Sequence, residues 1–578
     1  MRRLIDFFFD RRIIGLTLLL GMAGVALAER MVVTLPMAYF ITFAIIAFSV
    51  LLTGRIKTSI YFGLAVVALI AFISYAKIKW MSVAPNVVDL YYFAFNPGTL
   101  AFLFDGFLPL VIGVIVLFLG ALAALIVFGW FETPSSKSRW RALIALPLCV
   151  ALAIAFQPRT FSGVEDLMRF RYITSVFTSM KHLANLGDPI PLLELLDRET
   201  AALDSSAETH GVCKQFVSKP DILVVQSESI VPPEIFYDGK IPEELKGAFN
   251  GPDETLRPLK VETFSGGTWI TTAGFVSGLP ITDLGWLTSY SNFILEGRIG
   301  QSLVQYLSDC GYHTVFLSPL HYSFVNEGRF MESIGFETFI DQHDMKAPST
   351  QESDSFYYDK ALTVLKDHRE NDDRPIFMFV LTMSAHSPWN YRMEPDRTVA
   401  GEPFSPDSEI NEYFRRLAIS REDLGQFIEQ VEALSQPTVV LEFGDHQPGL
   451  TLDFWRRREG PAPLANKESG AYMTSFQVRP LKTDLAAPVP SFERLDLQFL
   501  GVTLLETAGL PMTPIQTDLR NMRDECMGLF QTCGIEGRLD AHYDCRANQR
   551  VCSNARVKFK QSGARKHEYA RTEAANVN

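Results

Sequence analysis

Clustered positive charge is what this 578-residue sequence has least of: 53 Lys and Arg stand against 65 Asp and Glu, for a net charge of −12. Binding a phosphate backbone needs Lys and Arg gathered on one face, and outside the C-terminal tail no such gathering is seen, which excludes nucleic acid as the main partner. Charge of either sign is missing from long runs within residues 1–157, so that part is not built like a soluble domain. Cysteine is scarce at seven, and Cys526, Cys533, Cys545 and Cys552 lack the short spacing usual for structural zinc. A chain of this length exceeds what one core organises, so at least two domains are expected.

Apolar residues make up 48% of the chain and are concentrated at its front. Five runs, 13–28, 31–53, 59–76, 107–128 and 142–156, approach the roughly 20 residues a helix needs to cross a bilayer, the two shorter ones with help from their flanks. The first also has the marks of a cleaved signal peptide, with Arg2, Arg3, Arg11 and Arg12 ahead of it and Ala26-Leu27-Ala28 at its end. A second run starts almost at once, however, and removing the first would change the parity of the spans. With the N-terminus inside, the cytoplasmic segments hold those four arginines with Arg55, Lys57, Lys137, Arg139 and Arg141, and the short outer loops hold only Arg30, Lys77 and Lys79. Residues 1–157 are therefore expected to be a transmembrane domain of five spans, with everything after it outside the cytoplasm. Residues 83–99, carrying Tyr91, Tyr92, Phe93 and Phe95, are expected to anchor at the outer interface or to form an ordered loop.

Residues 158–219, punctuated by Pro189 and Pro191, read as linker helices. From Pro220 the pattern changes to short continuous apolar runs, 221–225, 314–317, 376–382 and 439–443, alternating with helical segments 300–310, 356–368 and 421–434. That alternation predicts an α/β domain with a mainly parallel sheet between helices, expected over 220–515. Three of these strands end in polar residues, Glu228, His386 and the pair Asp445-His446, and open α/β sheets gather ligands at such ends. A carboxylate beside an imidazole suits a cation such as Mn²⁺ or Zn²⁺, and the plain alternative is a hydrogen-bonded turn. Ser265-Gly266-Gly267-Thr268 places two glycines ahead of a hydroxyl at the expected start of a helix, where backbone can approach an anion. A threonine hydroxyl becomes a useful nucleophile when a cation at its oxygen lowers its pKa.

The segments VVQSES, SGGTWITTAG, TMSAHSPW and FGDHQP, in this order over roughly 220–509, resemble the lipoteichoic acid synthase family. That family includes the sulfatase-like phosphoglycerol transferases acting on periplasmic glucans, in the alkaline-phosphatase superfamily. The resemblance implies an extracytoplasmic sulfatase-like (alkaline-phosphatase-type) catalytic domain behind five membrane helices in the inner membrane. It implies Glu228, Thr268, Asp445 and His446 as ligands of one divalent metal, Mn²⁺ foremost with Mg²⁺ and Zn²⁺ as rivals. Thr268 would be the nucleophile that becomes phosphorylated, and His386 would meet the substrate phosphate or protonate the leaving group. The implied donor is phosphatidylglycerol and the implied acceptor a periplasmic glucan or related glycan.

The sequence departs from the family in the headgroup pocket, where a His followed by Ser-Phe-Trp-Asn-Arg is usual. Here Ser318 falls at the His and Glu327 at the Arg, which leaves His321, Asn326 and Arg329 as the expected substrate-binding residues. A phosphoethanolamine transferase shares the threonine, the metal and the topology. A sulfatase-like hydrolase is disfavoured because no Cys or Ser is followed by x-Pro-x-Arg, and a non-catalytic sensor because the ligand set is intact.

Cys149 lies within the fifth run and reads as packing, whereas Cys213, Cys310 and the four C-terminal cysteines all fall on the outer side, where disulfides form. Residues 516–555 are expected to be a Cys-rich segment with three pairings open to its four cysteines. Residues 556–578 are polar and basic and read as a disordered tail.

Overall fold

A computed structural model of the chain describes residues 2–29, 32–81, 83–94, 96–157, 171–185, 187–202, 219–434, 436–548 and 552. Cys213, Phe95, Arg30, the start and end of the 158–219 linker and the 556–578 tail lie outside them. Five helices have the length and composition to cross a membrane. They are α1 (Arg11–Glu29), α2 (Leu35–Thr53), α3 (Ile56–Met81), α4 (Pro97–Phe131) and α5 (Ser136–Ala155). Each contains one of the five expected runs almost entirely, and the chain is a multi-pass membrane protein. The fourth begins earlier than its apolar run, because the Asn96 side chain accepts from the Gly98 and Thr99 N–H groups and Pro97 sits at the first turn. At the end with the N-terminus, Glu132 accepts from the backbone of Lys57 and Thr58 and from the Thr58 hydroxyl, which caps α3.

The soluble part is built on one eight-stranded sheet in the order β4-β3-β5-β1-β6-β7-β2-β8. The strands are β1 (Asp221–Ser227), β2 (Arg257–Lys260), β3 (His313–Leu317), β4 (Thr338–Ile340), β5 (Ile376–Leu381), β6 (Thr438–Gly444), β7 (Met473–Leu481) and β8 (Leu495–Asp496). The block β4-β3-β5-β1-β6 is parallel, and β7 runs antiparallel to both β6 and β2. All four expected strands are present. The strands β2, β4, β7 and β8 escaped the sequence reading because they are short or carry polar residues along one face.

Successive residues of the central strands point to opposite faces. Ile222, Val224, Phe377, Phe379, Val439 and Leu441 enter one core, and Leu223, Val225, Met378, Val380 and Val440 enter the other. Both faces are thus covered, which is why the central strands read as unbroken apolar runs. One face packs against α6 (Thr268–Ser277), buried from Trp269 to Ser277. The other packs against α7 (Asp354–Asn371) and α8 (Ser408–Ala433). The last of these starts well ahead of the expected 421, because the Asp407 carboxylate accepts from Glu409 and Ile410 and caps it there.

The helix α9 (Pro514–Glu525) runs through position 515, and its Leu519 and Met522, with Cys526 and Phe530, complete the larger core. The C-terminal cysteines pair locally, Cys526 with Cys533 and Cys545 with Cys552, and Cys310 is also disulfide-bonded.

The aromatic residues after α3 do more than meet lipid. Tyr92 stacks on Tyr290 at 4.6 Å and Phe93 packs on Phe293 at 5.6 Å, so the loop docks the membrane helices on the soluble part, while Tyr91 stays exposed. Asp89 ties the junction together: it accepts from Lys77 at 2.6 Å, from the Asn86 N–H at 2.8 Å and from the Tyr290 hydroxyl. Replacing Asp89 by Ala leaves Lys77 with one hydrogen bond, to the Ala84 carbonyl, and the faces of Phe93 and Tyr290. The expected loss is about 2 kcal/mol, read as a lower thermal midpoint of the detergent-solubilised full chain. Asp197→Ala, at an exposed 3.5 Å pair with Arg298, should shift it by less than about 0.5 kcal/mol.

Candidate active site

The site begins with strand register. Ser227 lies opposite Gly444 in the parallel β1–β6 pair, so the two strands end level and the next residues, Glu228 and Asp445-His446, leave the sheet side by side. Gly444 is required there, since a Cβ would sit 2.0 Å from the Ile230 carbonyl oxygen. The Asp445 carboxylate accepts from the Ser229 and His446 N–H groups at 2.8 Å each, which fixes one of its oxygens and turns the other inward.

His446 Nδ1 faces the Gln447 carbonyl at 3.2 Å. A carbonyl only accepts, so Nδ1 carries the proton and Nε2 presents its lone pair. That Nε2 lies 3.3 Å from Asp445 Oδ2 and 3.6 Å from Glu228 Oε1. The three side chains are 3%, 0% and 3% exposed, and Asp445 Oδ2 and His446 Nε2 have no hydrogen-bond partner among the described residues.

The electrostatics follow from this crowding. Burial pushes the Glu228 carboxyl up, but the adjoining imidazole of His446 and the bonds from Ser229 and Thr268 outweigh it, and it ends below the ordinary range. Burial and the neighbouring Glu228 charge drive Asp445 well above its ordinary value, and burial lowers His446. Two ionised carboxylates and an imidazole lone pair aimed at one point form a set of donors that a cation would stabilise. Their spacing fits one: ligands about 2.1 Å from a tetrahedral centre are about 3.4 Å from each other. Hard oxygens with one imidazole suit a divalent metal.

Thr268 opens α6 and completes the group, its hydroxyl donating to Glu228 Oε2 at 2.9 Å. The turn before it needs its glycines, with Gly266 at φ 141° and Gly267 at φ 86°. The Ser265 N–H donates to the Gln447 carbonyl at 2.8 Å, and Thr271 donates to the Asp445 carbonyl at 2.9 Å, so the turn before Thr268 and the Asp445-His446 loop are one piece. Gln226, inside β1, reaches across to the helix. It donates to the Thr268 carbonyl at 3.2 Å and accepts from the Thr272 hydroxyl at 3.0 Å. The only sign of Gln226 in the sequence is a polar residue closing an apolar run.

His386 follows β5 and is half-buried on the wall of a cavity of about 70 Å³ that also exposes Glu228, Thr268 and His446. Its Nδ1 bonds the Ser387 carbonyl at 2.5 Å, and its own carbonyl accepts from Gln351 at 2.7 Å and from Arg416 at 2.9 Å, which holds the loop in place. Met81, the last residue of α3, lies on the same wall.

His321, Asn326 and Arg329 are not among the residues lining this cavity. Asn326 and Arg329 turn toward Glu296, at 2.7 Å each, because that carboxylate offers them charge-assisted bonds nearby. Leu320, Phe324 and Glu327 take their place on the wall.

Residues 260–474 match the family model described as Sulfatase. The match takes in Thr268, His386, Asp445 and His446, while Glu228 lies ahead of it. An uncharacterized protein of Haemophilus influenzae is 27% identical over 307 residues, 51% of this chain and 54% of that one, so the chain spans about half the length of this relative. Among solved structures, the Streptococcus pyogenes phosphoglycerol transferase GacH in complex with sn-glycerol-1-phosphate is 17% identical over 61% of this chain and 92% of that chain, with a TM-score of 0.45. The zinc complex of the C-terminal periplasmic domain of EcEptC from Escherichia coli is 16% identical over 52% and 86% of the two chains, with a TM-score of 0.37.

A divalent cation at 100 times its dissociation constant should stabilise the purified protein by about 2.7 kcal/mol, seen as a rise in thermal midpoint. Asp445→Asn and His446→Ala should each abolish that rise. A rise that survives both would place the cation elsewhere.

Proposed function

We propose that this chain, a sulfatase-like domain of the alkaline-phosphatase superfamily carried behind five apolar helices, is a membrane phosphotransferase working through a phosphothreonine. The observation that carries this reading is the Thr268 hydroxyl, held at 2.9 Å from Glu228 at a helix start, in a cavity whose wall includes the end of a membrane helix. The donor is then a phospholipid, which the membrane domain holds at the level of the site. Phosphatidylglycerol is the donor to which the order of motifs points. Phosphatidylethanolamine is favoured by the cavity wall, which carries Glu327 and, among the described residues, is lined by no Lys or Arg.

In the first step Thr268 Oγ bonds to phosphorus and the bond to the diacylglycerol oxygen breaks. The hydroxyl proton leaves Thr268 and one is delivered to the departing oxygen, so diacylglycerol forms and the headgroup phosphate stays on the enzyme as a diester. In the second step an acceptor hydroxyl displaces Thr268 and the proton balance runs in reverse. His386, on the cavity wall, is the group placed to give and take that proton. Glu228, Asp445, His446 and the Thr268 oxygen would hold the divalent metal, with Mn²⁺ the first candidate and Mg²⁺ and Zn²⁺ the others. When bound it supplies positive charge that lowers the hydroxyl pKa and offsets charge on the phosphoryl oxygens. The α6 N-terminus presents backbone N–H groups to the same oxygens.

The acceptor we propose is a periplasmic glucan or a related glycan, reached with the catalytic domain on the outer face of the inner membrane. The charge bias of the loops supports that orientation.

Intact mass of the full chain incubated with phospholipid and a divalent cation tests the reading. The expected result is a headgroup-phosphate adduct on the wild type, none on Thr268→Ala, and formation slowed by about 10²-fold or more in His386→Ala. An adduct that persists on Thr268→Ala would overturn the assignment of the nucleophile.

A further inference from the structure

The Thr268 site uses one end of the parallel strands, and a second group of metal-binding side chains lies at the other. His313, His368 and Asp372 each offer one ligand atom within 4.8 Å of the others. Their places follow from the fold. His313 opens β3 and stands opposite Ile376, the first residue of β5, while its N–H donates to the Pro375 carbonyl at 2.9 Å. His368 lies in the last turn of α7, and Asp372 follows four residues later, which brings the two side chains together. The Asp372 N–H donates to the His368 carbonyl at 2.8 Å and holds that turn.

The hydrogen bonds set which nitrogens are free. His368 Nε2 lies 2.8 Å from the Arg374 carbonyl, which only accepts, so Nε2 carries the proton and Nδ1 keeps its lone pair. That Nδ1 faces His313 Nδ1 at 3.1 Å and Asp372 Oδ2 at 4.0 Å. Bonds from Arg374 hold the Asp372 carboxyl down at about 2, so its oxygen is a charged acceptor. On the far side of His313, Nε2 lies 3.0 Å from the Thr338 hydroxyl, which can accept its proton in a hydrogen bond. Each imidazole then has its outer nitrogen on a protein oxygen and its Nδ1 turned to one point, the arrangement that orients metal-binding histidines.

The surrounding charges are already matched. Arg374 bonds Asp372 Oδ2 at 2.9 Å and Glu337 at 3.0 Å, and Arg369 is paired with Asp221. Ligating carboxylates are commonly hydrogen-bonded in this way. Ligands about 2.1 Å from a tetrahedral zinc are about 3.4 Å apart, so the two nitrogens are near that spacing and the partly exposed Asp372 has to close by about 0.6 Å.

We propose that His313, His368 and Asp372 form a second metal site, selective for Zn²⁺, that ties the start of β3 to the end of α7. Two imidazoles and one carboxylate suit Zn²⁺ better than Mn²⁺ or Mg²⁺, which prefer oxygens. Mn²⁺ is thereby left to the Thr268 site, and a midpoint rise with Mn²⁺ reports that site alone. The inference does not depend on the phosphothreonine reading.

The test counts bound metal per chain on the full protein in detergent, loaded with Zn²⁺ or with Mn²⁺ and freed of excess by gel filtration. His313→Gln is expected to lose about one zinc per chain relative to wild type and to keep its Mn²⁺ binding, which shows that the fold and the Thr268 site are intact. Asp372→Asn, at a partly exposed side chain, should lower the zinc content in the same way. Thr338→Val removes only the outer partner of His313 and should weaken that zinc by about tenfold or more. A zinc content that His313→Gln and Asp372→Asn leave unchanged overturns the proposal and leaves a plain hydrogen bond between two histidines. So does a zinc affinity that Thr338→Val and Asp372→Asn both leave at the wild-type value, a comparison that does not need the His313 variant to fold.

Discussion

Two carboxylates and an imidazole lone pair, buried and aimed at one point, are the constraint around which the soluble domain is arranged. Like charges at this distance in a dry site repel, and a shared proton or a cation relieves them, so the surrounding structure has to hold the groups together. It does so with backbone. The level ending of β1 and β6 brings Glu228 beside Asp445 and His446, the Ser229 and His446 N–H groups pin one Asp445 oxygen, and the Gln447 carbonyl turns His446 Nε2 inward. Thr268 is then fastened to the same frame through Ser265, Thr271 and Gln226.

The second organising relation is between bilayer and site. The aromatic loop after α3, with Lys77 and Asp89 bonded to each other and Asp89 to Tyr290, joins the helices to the catalytic domain on the side where Met81 enters the cavity. A reactant that stays in the bilayer can be met without leaving it. The membrane helices are thus part of the site as well as its anchor.

How much was legible differs by residue. Glu228, Thr268, His386, Asp445 and His446 stood out because each ends a strand or opens a helix in a short motif, where chain direction alone aims the side chain. The headgroup side did not yield to that reasoning. His321, Asn326 and Arg329 share one local segment, but which of its residues face the cavity depends on the turn at Val325 and Asn326, both at positive φ, and on Glu296 from a distant part of the chain. Gln226 was hidden because its partners, Thr268 and Thr272, lie more than forty positions away. The early start of α4 was visible only as Asn96-Pro97, since its first turns are not part of the long apolar run.

By itself the sequence determined the five spans and the parallel core, and it singled out Glu228, Thr268, Asp445 and His446 as candidates, because hydropathy runs, strand patterns and turn chemistry are local properties of the chain. Only the tertiary structure decided which strands lie adjacent, that the two C-terminal disulfides close locally, and that Glu327 rather than Arg329 lines the cavity beside Thr268. Those outcomes depend on contacts between residues far apart in the chain, and composition and spacing carry no record of them.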